Sequence, residues 1–529
     1  MEGAQVDSSS APFVNSPEEM AGKFHAELMM QMPAWKKRLA DDPSRLEQME
    51  REVHAHFARG ADLVTTGLIA LVMAQAQWEA STERTRVDFQ HPLTRGRERK
   101  RAVRLLGGLL IWLTTRYCAP RRKSGQKADD DSSGLYVELA QFGFGKGCSP
   151  ALESRVARQA AIGPSLQFAQ EELERSGVKI DVKAVRRITQ QCGEGLLGLR
   201  AHELDLFRAG KLLPGTELKG KRVTVQIDGG RMRIRGPLRD AKRSPEATNE
   251  DGLPINDAPG RSRARAERTF DGEWREPKLA TIFVHDEYGR MDAKCSATIE
   301  GTFQGPDAMA ELAAMHLHRL GAAQAVSVSF AADGANWIWD RVPTIVSRAG
   351  LEKVTIHEVL DCCHAAHHIS QALAAMGLHE KERLPLYRRF RTQLRNGQWK
   401  QVVDDLQCYM DENVDCEAMR VEIAYLRKHG EAGRLKYPTF RKLGIPLGSG
   451  AIESSIRRVI NQRMKGSGLF WREGNAEAML QVRAQVIARR WDARLAAMRD
   501  HEKRYGRRPW TRTYPNMSAK IESAPATPK

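Results

Sequence analysis

The chain has 529 residues, and 83 Lys and Arg against 66 Asp and Glu give it a formal net charge of +17 at pH 7. With 41% apolar and 28% charged residues it has the composition of a globular protein, not of a disordered or membrane-embedded one. Its longest apolar run, residues 105–115, is shorter than the roughly 20 residues that cross a bilayer. The eight cysteines form no CxxC pair and no secretory signal is visible. We therefore expect a multidomain cytoplasmic protein without a membrane partner.

The positive charge is concentrated in three segments. Residues 95–123 contain ten Lys or Arg and one acid, and two further basic segments lie at residues 457–465 and 503–512. Basic clusters separated along a chain suit a polyanion that contacts several domains, so DNA or RNA is the expected partner. The alternative is a basic surface that only faces water.

The first part of the chain is predicted to be mainly helical. Residues 1–20 lack periodicity and are predicted to be disordered. Apolar residues recur at helical spacing over 43–80, and Gly60 is expected to divide this stretch into two helices. Residues 102–118 around Gly107-Gly108 indicate a small β-hairpin, and residues 123–134 indicate a linker.

Helices are predicted again over residues 150–202. A helix, a turn at Ser176-Gly177, a strand-like KIDV and a second helix are compatible with a helix-turn-helix. The second helix would present Lys183, Arg186 and Arg187 to DNA. A plain helical hairpin would have the same pattern.

The pattern changes to alternating β-branched residues at residue 221. One strand, KRVTVQIDGGRMRIRG, is followed by a polar loop over 237–276 and by two strands joined near Tyr288-Gly289. A helix, a strand, a helix and a further strand complete the region, and residues 364–434 are predicted to be almost all helix. This order predicts an α/β fold with an RNase H-like mixed sheet.

Two of the predicted strands end in Asp-Gly, at Asp228 and Asp333. On neighbouring strands these carboxylates would approach each other, and two close carboxylates repel unless a proton or a divalent ion neutralises them. Oxygen ligands suit Mg²⁺ or Mn²⁺. The alternative for each motif is a hairpin turn, in which Asp-Gly is a favoured dipeptide.

Two further segments carry candidate site residues. In GIPLGSGAIESSIRRVINQRMKGSG, Glu453 lies in the first turn of a predicted helix, where it is either a third metal ligand or a residue that complements the helix dipole. In DCCHAAHH, adjacent cysteines are poorly spaced for a structural zinc, so Asp361 and His364 are expected to support the active site or to pack locally.

The chain resembles bacterial insertion-sequence transposases of the Asp-Asp-Glu type in the ISKra-like group, which are distantly similar to the eukaryotic Mutator-like enzymes. The matching segments are QIDGG, AADGANWIW, VLDCCHAAHH and the long stretch from GIPLGSGAIESS to residue 484, and the resemblance covers roughly residues 150–495. It departs from the family in retaining only Cys118 of a Cys-rich knuckle and in the length of the loop 237–276.

The resemblance implies an RNase H-like catalytic core with an all-helical insertion, preceded by a mainly helical DNA-binding region. The implied division is a disordered segment 1–20, an N-terminal helical region with a small hairpin 21–134, a helix-turn-helix-like region 135–215, the first part of the core 216–360, a helical insertion 361–440, the final core helices 441–500 and a basic tail 501–529.

It also implies the chemistry. Asp228, Asp333 and Glu453 match the three catalytic acids, which would bind two Mg²⁺ or Mn²⁺ ions for DNA cleavage and strand transfer by phosphoryl transfer. The DNA-binding residues would be Arg186, Arg187, Arg457, Arg463, Lys465 and Trp471. Double-stranded DNA, comprising the element's terminal inverted repeats and the target, is the expected partner of a homo-oligomer. The alternatives are an RNase H-like nuclease without strand transfer and an inactive, transposase-derived DNA-binding protein.

Overall fold

The structure, a computed structural model, describes residues 16–91, 93–120, 134–236, 270–412 and 416–506. The chain is mixed α/β, with 59% helix and 16% strand, which confirms the predicted fold class at this level. Most of the predicted linker 123–134, of the loop 237–276 and of the tail 501–529 lies outside the described residues.

The N-terminal region combines helices with short strands. In chain order its elements are α1 (Pro17–Asp41), α2 (Leu46–Ala74), α3 (Gln77–Val87), β1 (Leu93–Thr94), β2 (Glu98–Arg104), β3 (Leu110–Pro120), β4 (Leu135–Tyr136) and α4 (Val137–Gln141). Helix α1 begins inside the segment predicted to be disordered, because Ser16 and Glu19 form a capping box ahead of Pro17. Residues 1–15 lie outside the described residues.

The expected break at Gly60 is wrong, because α2 runs through this residue. A Cβ at Gly60 would lie 2.4 Å from Cε2 of Phe24, so this glycine serves the close packing of α1 on α2. Together with the 3₁₀ turn before it, α2 is long and apolar enough to cross a membrane by length and composition. One such helix is weak evidence, since the core helix of a soluble protein passes the same test.

The predicted hairpin is confirmed, since β2 and β3 pair antiparallel from Glu98↔Arg116 to Arg104↔Leu110. Its turn is held by Asp62 of α2, whose carboxylate accepts hydrogen bonds of 3.0 Å from both Gly107 N and Leu109 N. The basic hairpin is thereby fixed to the N-terminal helices.

Three helices connect this region to the main sheet: α5 (Pro150–Ile162), α6 (Leu166–Arg175) and α7 (Val182–Arg208). The strand-like KIDV pairs with no other strand among the described residues: the turn falls at Ser176-Gly177, and residues 178–181 are an irregular connection in which Val178 is buried and Asp181 caps α7. The order helix, turn, helix is present in α6 and α7.

The main sheet has five strands in the order β11-β10-β5-β8-β9. Its strands and the elements between them are β5 (Arg222–Gly229), β6 (Met232–Gly236), β7 (Asp271–Arg275), β8 (Lys278–His285), β9 (Thr298–Thr302), α8 (Pro306–Leu320), β10 (Ser327–Ala332), α9 (Asn336–Trp339), α10 (Val342–Arg348) and β11 (Thr355–Leu360). Strands β5, β8 and β9 are antiparallel, whereas β10 and β11 run parallel to β5. The predicted order of strands and helices is confirmed.

One predicted strand is divided. The stretch 221–236 forms β5 in the main sheet and β6 in a separate two-stranded sheet with β7. The break falls at Gly230, whose N–H donates to Pro277 O and where a Cβ would lie 2.4 Å from Ile460 Cδ1.

The rest of the described chain is helical, as predicted for residues 364–434. Its helices are α11 (Cys362–Ala375), α12 (Glu380–Arg395), α13 (Trp399–Glu412), α14 (Glu417–Glu431), α15 (Tyr437–Lys442), α16 (Gly450–Ile456), α17 (Glu473–Ile487) and α18 (Trp491–Tyr505). A π-helical turn, Arg457–Asn461, continues α16. Because α18 extends to Tyr505, the predicted basic tail begins within a helix.

A buried ionic network fixes α7 to the sheet. Arg200 bonds Glu300 of β9 at 3.1 Å and Glu477 of α17 at 2.8 Å, and His316 Nε2 lies 2.8 Å from Glu300. Glu477 also accepts from Phe303 N at 2.7 Å. All these side chains are buried, so the acids depend on Arg200 for compensation of their charge.

We predict that Arg200→Met lowers the free energy of unfolding by about 3–5 kcal/mol, because it leaves two buried carboxylates without their cation. The matched control, Arg175→Met, removes an exposed arginine that pairs with Glu172 on the surface and should change stability by less than about 1 kcal/mol. Urea unfolding followed by circular dichroism measures both. Equal effects of the two substitutions would contradict the structural role of the network.

Candidate active site

Three aspartates lie at the carboxyl ends of three neighbouring parallel strands. Strands β5 and β10 pair with Gln226↔Ala331 in register, so Asp228 and Asp333 occupy the same level two residues further on. Strands β10 and β11 pair with Ala332↔Leu360, which aligns Asp333 with Asp361. Residues at the same level of parallel strands project to the same face. The expectation that Asp228 and Asp333 lie on neighbouring strands is confirmed, and Asp361 joins them.

Neither Asp-Gly pair forms the hairpin turn that was the alternative explanation. Asp228 and Gly229 both belong to β5 and pair with Leu279 and Lys278 of β8. Asp333 lies between β10 and α9, where Gly334 adopts a φ of +97°. A side chain at Gly334 would be strained and would meet the hydroxyl of Tyr425 at 2.1 Å, so glycine is required there by the backbone and by packing.

The sheet itself holds the helix that bears Glu453. The amide of Gln226 donates to Gly448 O at 2.8 Å and accepts from Ile452 N at 2.9 Å. Thr281, which pairs with Gln226 across β5 and β8, donates to the hydroxyl of Ser455 at 2.9 Å. Gln226 and Asp228 are two residues apart on β5 and therefore project from the same face. The hydrogen bonds of Gln226 and Thr281 to the α16 segment, which we call the Gln226 clamp, bring α16 to the face that carries the aspartates.

Ser449 links two of the carboxylates. Its hydroxyl lies 2.9 Å from Glu453 Oε1 and also contacts Asp361 Oδ2. The ligand atoms of Asp361, His364 and Glu453 all lie within 4.8 Å of one another, the one grouping of this kind found among the described residues. Because a hydroxyl has one proton, Ser449 can donate to only one of these two carboxylates at a time.

Asp361 differs from the other acids in having its oxygens occupied. It accepts from Cys363 N and His364 N as the cap of α11, and from both N–H and O–H of Ser449. Burial alone would raise its pKa, but His364 and the bonds from Ser449 outweigh that effect and hold the pKa of Asp361 well below its usual range. Asp361 is therefore an ionised residue that positions α11 and Ser449.

Asp228 and Asp333 are less satisfied. Asp228 is half-buried and accepts one described hydrogen bond, from Gly229 N at 2.6 Å, and Asp333 accepts one, from Ala335 N at 3.0 Å. Burial raises the pKa of Asp228 to about 6, and the negative charge of Asp333 adds to the shift. These carboxylates retain lone pairs for a cation, which would also relieve their repulsion.

His364 is an ionisable group beside the acids. Its Nδ1 lies 3.7 Å from Asp361 Oδ1, within reach of an ion pair but too far for a hydrogen bond. The Asp361 carboxylate raises the pKa of His364 against the opposing effect of burial, and Asp333 and Glu453 contribute in the same direction. The segment DCCHAAHH thus supplies a cap and a histidine to the acidic cluster.

Helix α14 contacts the Asp333 loop directly. Tyr425 of α14 donates its hydroxyl to Asp333 O at 2.6 Å and stacks on His368 with ring centroids 3.6 Å apart. His368 in turn contacts Glu422. These contacts fix the main chain at Asp333 from outside the sheet.

The predicted DNA-binding residues fall into two groups. Arg186, Arg463 and Trp471 line one cavity, which also contains Arg235 and Arg472. Arg457 and Lys465 are exposed near α16. Arg187 is exposed on α7 and donates to Lys146 O at 2.8 Å, so part of its hydrogen-bonding capacity is used within the protein.

Sequence reasoning missed several residues of the site. Gln226, Ser449 and Tyr425 act through contacts between residues 88 to 226 positions apart, which no local pattern reports. Asp361 was among the predicted supporting residues, and it follows an apolar strand as Asp228 and Asp333 do.

Comparison of the chain with protein-family models, with curated proteins and with solved structures gives no match.

We predict that Asp228→Asn stabilises the metal-free protein at pH 7.5 by about 2 kcal/mol, because ionising this carboxyl in the folded state is unfavourable. Its pKa rises from 3.8 to about 6 on folding, so the folded wild type loses stability as pH increases between these values. The advantage of Asn should therefore disappear near pH 4. Thermal unfolding in EDTA across this pH range measures it, and no gain at pH 7.5 would contradict an uncompensated charge at Asp228.

Asp361→Asn should have the opposite effect. The Asp361 carboxylate accepts hydrogen bonds from the N–H groups of Cys363 and Ser449, and the amide of Asn would replace one accepting oxygen with a donor. The loss of a hydrogen bond to a charged group should lower the free energy of unfolding by about 1.5–3 kcal/mol. The same unfolding experiment should show a lower midpoint at pH 7.5. If both substitutions shifted the unfolding midpoint in the same direction, Asp228 and Asp361 would not differ in the way the structure indicates.

Proposed function

We propose that this protein is a metal-dependent DNA strand-cleaving and strand-joining enzyme of the Asp-Asp-Glu transposase type. The observation that carries the proposal is the alignment of Asp228 and Asp333 on adjacent parallel strands, one of which also holds, through Gln226, the first turn of the helix α16 that bears Glu453. Acids with available oxygens at one edge of a sheet suit the binding of divalent cations.

The proposal includes an RNase H-like core. Its support is the order of the main sheet, in which three antiparallel strands are followed in the chain by two strands parallel to the first. Further support is the position of the helical region α11–α14 between the last strand and the helix that bears Glu453.

The donor set fits Mg²⁺ or Mn²⁺. Asp228, Asp333 and Glu453 would hold two ions, since each offers carboxylate oxygens that the described hydrogen bonds leave available. Such ions supply charge stabilisation and an activated oxygen nucleophile for in-line displacement at phosphorus. The raised pKa of Asp228 is consistent with a carboxylate that lacks a countercharge.

The chain's own groups supply positioning and charge. Asp361 and Ser449 orient the first turn of α16, and Tyr425 fixes the backbone at Asp333. His364, charged when protonated, lies beside the acids and partly offsets their repulsion. Positioning and preorganised charge are the terms on which phosphoryl transfer depends most.

DNA binding is proposed for the basic surface around α7 and the segment after α16. Arg186 is exposed on α7, and Arg457 and Lys465 are exposed near the end of α16. Arginine and lysine contacts to phosphates would place a strand near the acids independently of its sequence. The net charge of +17 agrees with a polyanionic partner.

We predict that Asp333→Asn abolishes movement of a marker flanked by the element's DNA ends when the protein is supplied in trans. Strand cleavage of the same ends in vitro with Mg²⁺ should fall at least about 100-fold, because a transition-state charge loses its stabilisation. Binding of the ends should remain within about threefold of wild type, since phosphate contacts lie elsewhere.

Asp404→Asn, which removes an exposed carboxylate on α13, serves as the matched control and should retain full activity. Joined products from the wild type support a transposase, whereas simple nicks support the nuclease alternative. DNA binding without cleavage by the wild type supports the inactive binder. Movement supported by Asp333→Asn would remove this residue from the active site and overturn the proposal.

A further inference from the structure

A cavity of about 620 Å³ lies between the α6–α7 helix pair and the chain that follows α16. Four arginines line it, Arg186, Arg235, Arg463 and Arg472, and no Asp or Glu is among its described lining residues. We call this cavity the arginine pocket. Four guanidinium groups around one cavity without an acid form a site of uncompensated positive charge.

Arg463 is the member that points to a ligand. Its side chain is buried, with 5% of the residue exposed, and its Nε has no hydrogen-bond partner among the described residues. A buried guanidinium without a carboxylate or a full set of acceptors is unfavourable. Burial lowers the pKa of Arg463, in agreement with this environment.

The surroundings of Arg463 add further positive charge. Arg483 is also buried and donates to backbone carbonyls, among them Val459 O at 2.6 Å and Ala161 O. Burial and the neighbouring Arg463 lower its pKa to about 10. The N-terminus of α6 opens on the same cavity at Ser165 and Leu166, where the helix dipole favours an anion.

The arginine pocket also has an apolar and aromatic wall, and the guanidinium of Arg463 lies 5.6 Å from the ring centroid of Trp471. Trp471 is held rigidly, because its indole N–H donates to Met464 O at 3.0 Å and its backbone N–H donates to Arg233 O at 3.2 Å. Leu469, Phe470 and Met479 extend this wall. A phosphate alone would occupy a small part of the cavity, which falls in the size range of sites for small organic ligands.

We propose that the arginine pocket binds an unpaired nucleotide of DNA, with the phosphate at Arg463 and the base against Trp471 and its apolar neighbours. An unpaired base exposes the flat face that stacks on an aromatic ring, whereas a paired base keeps it within the duplex. This inference rests on the proposed function, in that DNA is taken to be the substrate.

The position of the pocket gives it a role in positioning the strand. Arg463 follows Glu453 by ten residues on the same continuous segment, and Arg186 comes from α7 of the helix-turn-helix-like region. A strand held in the arginine pocket would therefore contact both the proposed DNA-binding region and the segment that bears a catalytic acid.

The test is thermal unfolding and fluorescence-polarisation binding of the full chain in EDTA, so that no metal contributes. The probes are inorganic phosphate, thymidine 5′-monophosphate, a ten-residue oligothymidylate and a duplex of the same length. Arg463→Met and Trp471→Leu are compared with Arg391→Met, which removes an exposed arginine of α12 as a matched loss of charge.

We expect the oligothymidylate to raise the unfolding midpoint of the wild type more than phosphate or duplex does. Arg463→Met should unfold at a higher temperature than the wild type without ligand, because it removes an unpaired buried charge, and should bind the oligothymidylate at least about tenfold more weakly. Trp471→Leu should weaken oligothymidylate binding but leave the effect of phosphate unchanged. Arg391→Met should behave as the wild type.

Three results would overturn the inference. They are unchanged oligothymidylate affinity in Arg463→Met, a phosphate effect as large as that of the oligothymidylate, and tighter binding of duplex than of single strand. Because these measurements need neither metal nor cleavage, they can fail while Asp333-dependent cleavage persists. Conversely, the wild type could bind oligothymidylate through Arg463 and yet fail to cleave DNA. That result would contradict the proposed chemistry and support the proposed nucleotide site.

Discussion

The register of three parallel strands is the constraint on which the candidate site depends. Strands β5, β10 and β11 pair so that Asp228, Asp333 and Asp361 reach the same level at their carboxyl ends. A slip of one residue in either pairing would send a carboxylate to the opposite face of the sheet. The buried apolar residues that alternate with Gln226 and Asp228 on β5 oppose such a slip, because they would lose their place in the core.

Two clusters of uncompensated charge, opposite in sign, follow from the way α16 and its continuation are held. Near the start of α16, Asp228 and Asp333 each accept a single described hydrogen bond, and after α16 the buried Arg463 has an Nε without a described acceptor. Each cluster is unfavourable by itself, and each would be relieved by a different ligand, a divalent cation in one and a phosphate in the other. A nucleic-acid strand with bound metal ions would satisfy both.

Several buried hydrogen bonds and ion pairs connect separate regions of the chain. Arg200 joins α7 to β9 and α17, and Tyr425 joins α14 to the loop at Asp333. Helix α14 therefore contributes a hydrogen bond to the backbone of a candidate catalytic residue. Asp62 likewise connects two elements, because its carboxylate on α2 accepts hydrogen bonds from the turn of the basic hairpin.

The sequence by itself determined the order of the sheet strands, the helical nature of residues 364–434 and the adjacency of Asp228 and Asp333, since alternation and strand ends are local patterns. It misplaced the break at Gly60 and joined β5 to β6, because packing against Phe24 and Ile460 decides those glycines. Three features were visible only in the tertiary structure. They are the hydrogen bonds by which Gln226 holds α16, the hydrogen bonds that Asp361 accepts, and the cavity that Arg186 and Arg463 share. These depend on contacts between residues far apart in the chain, and such contacts are fixed by the packing of whole elements and not by neighbouring residues.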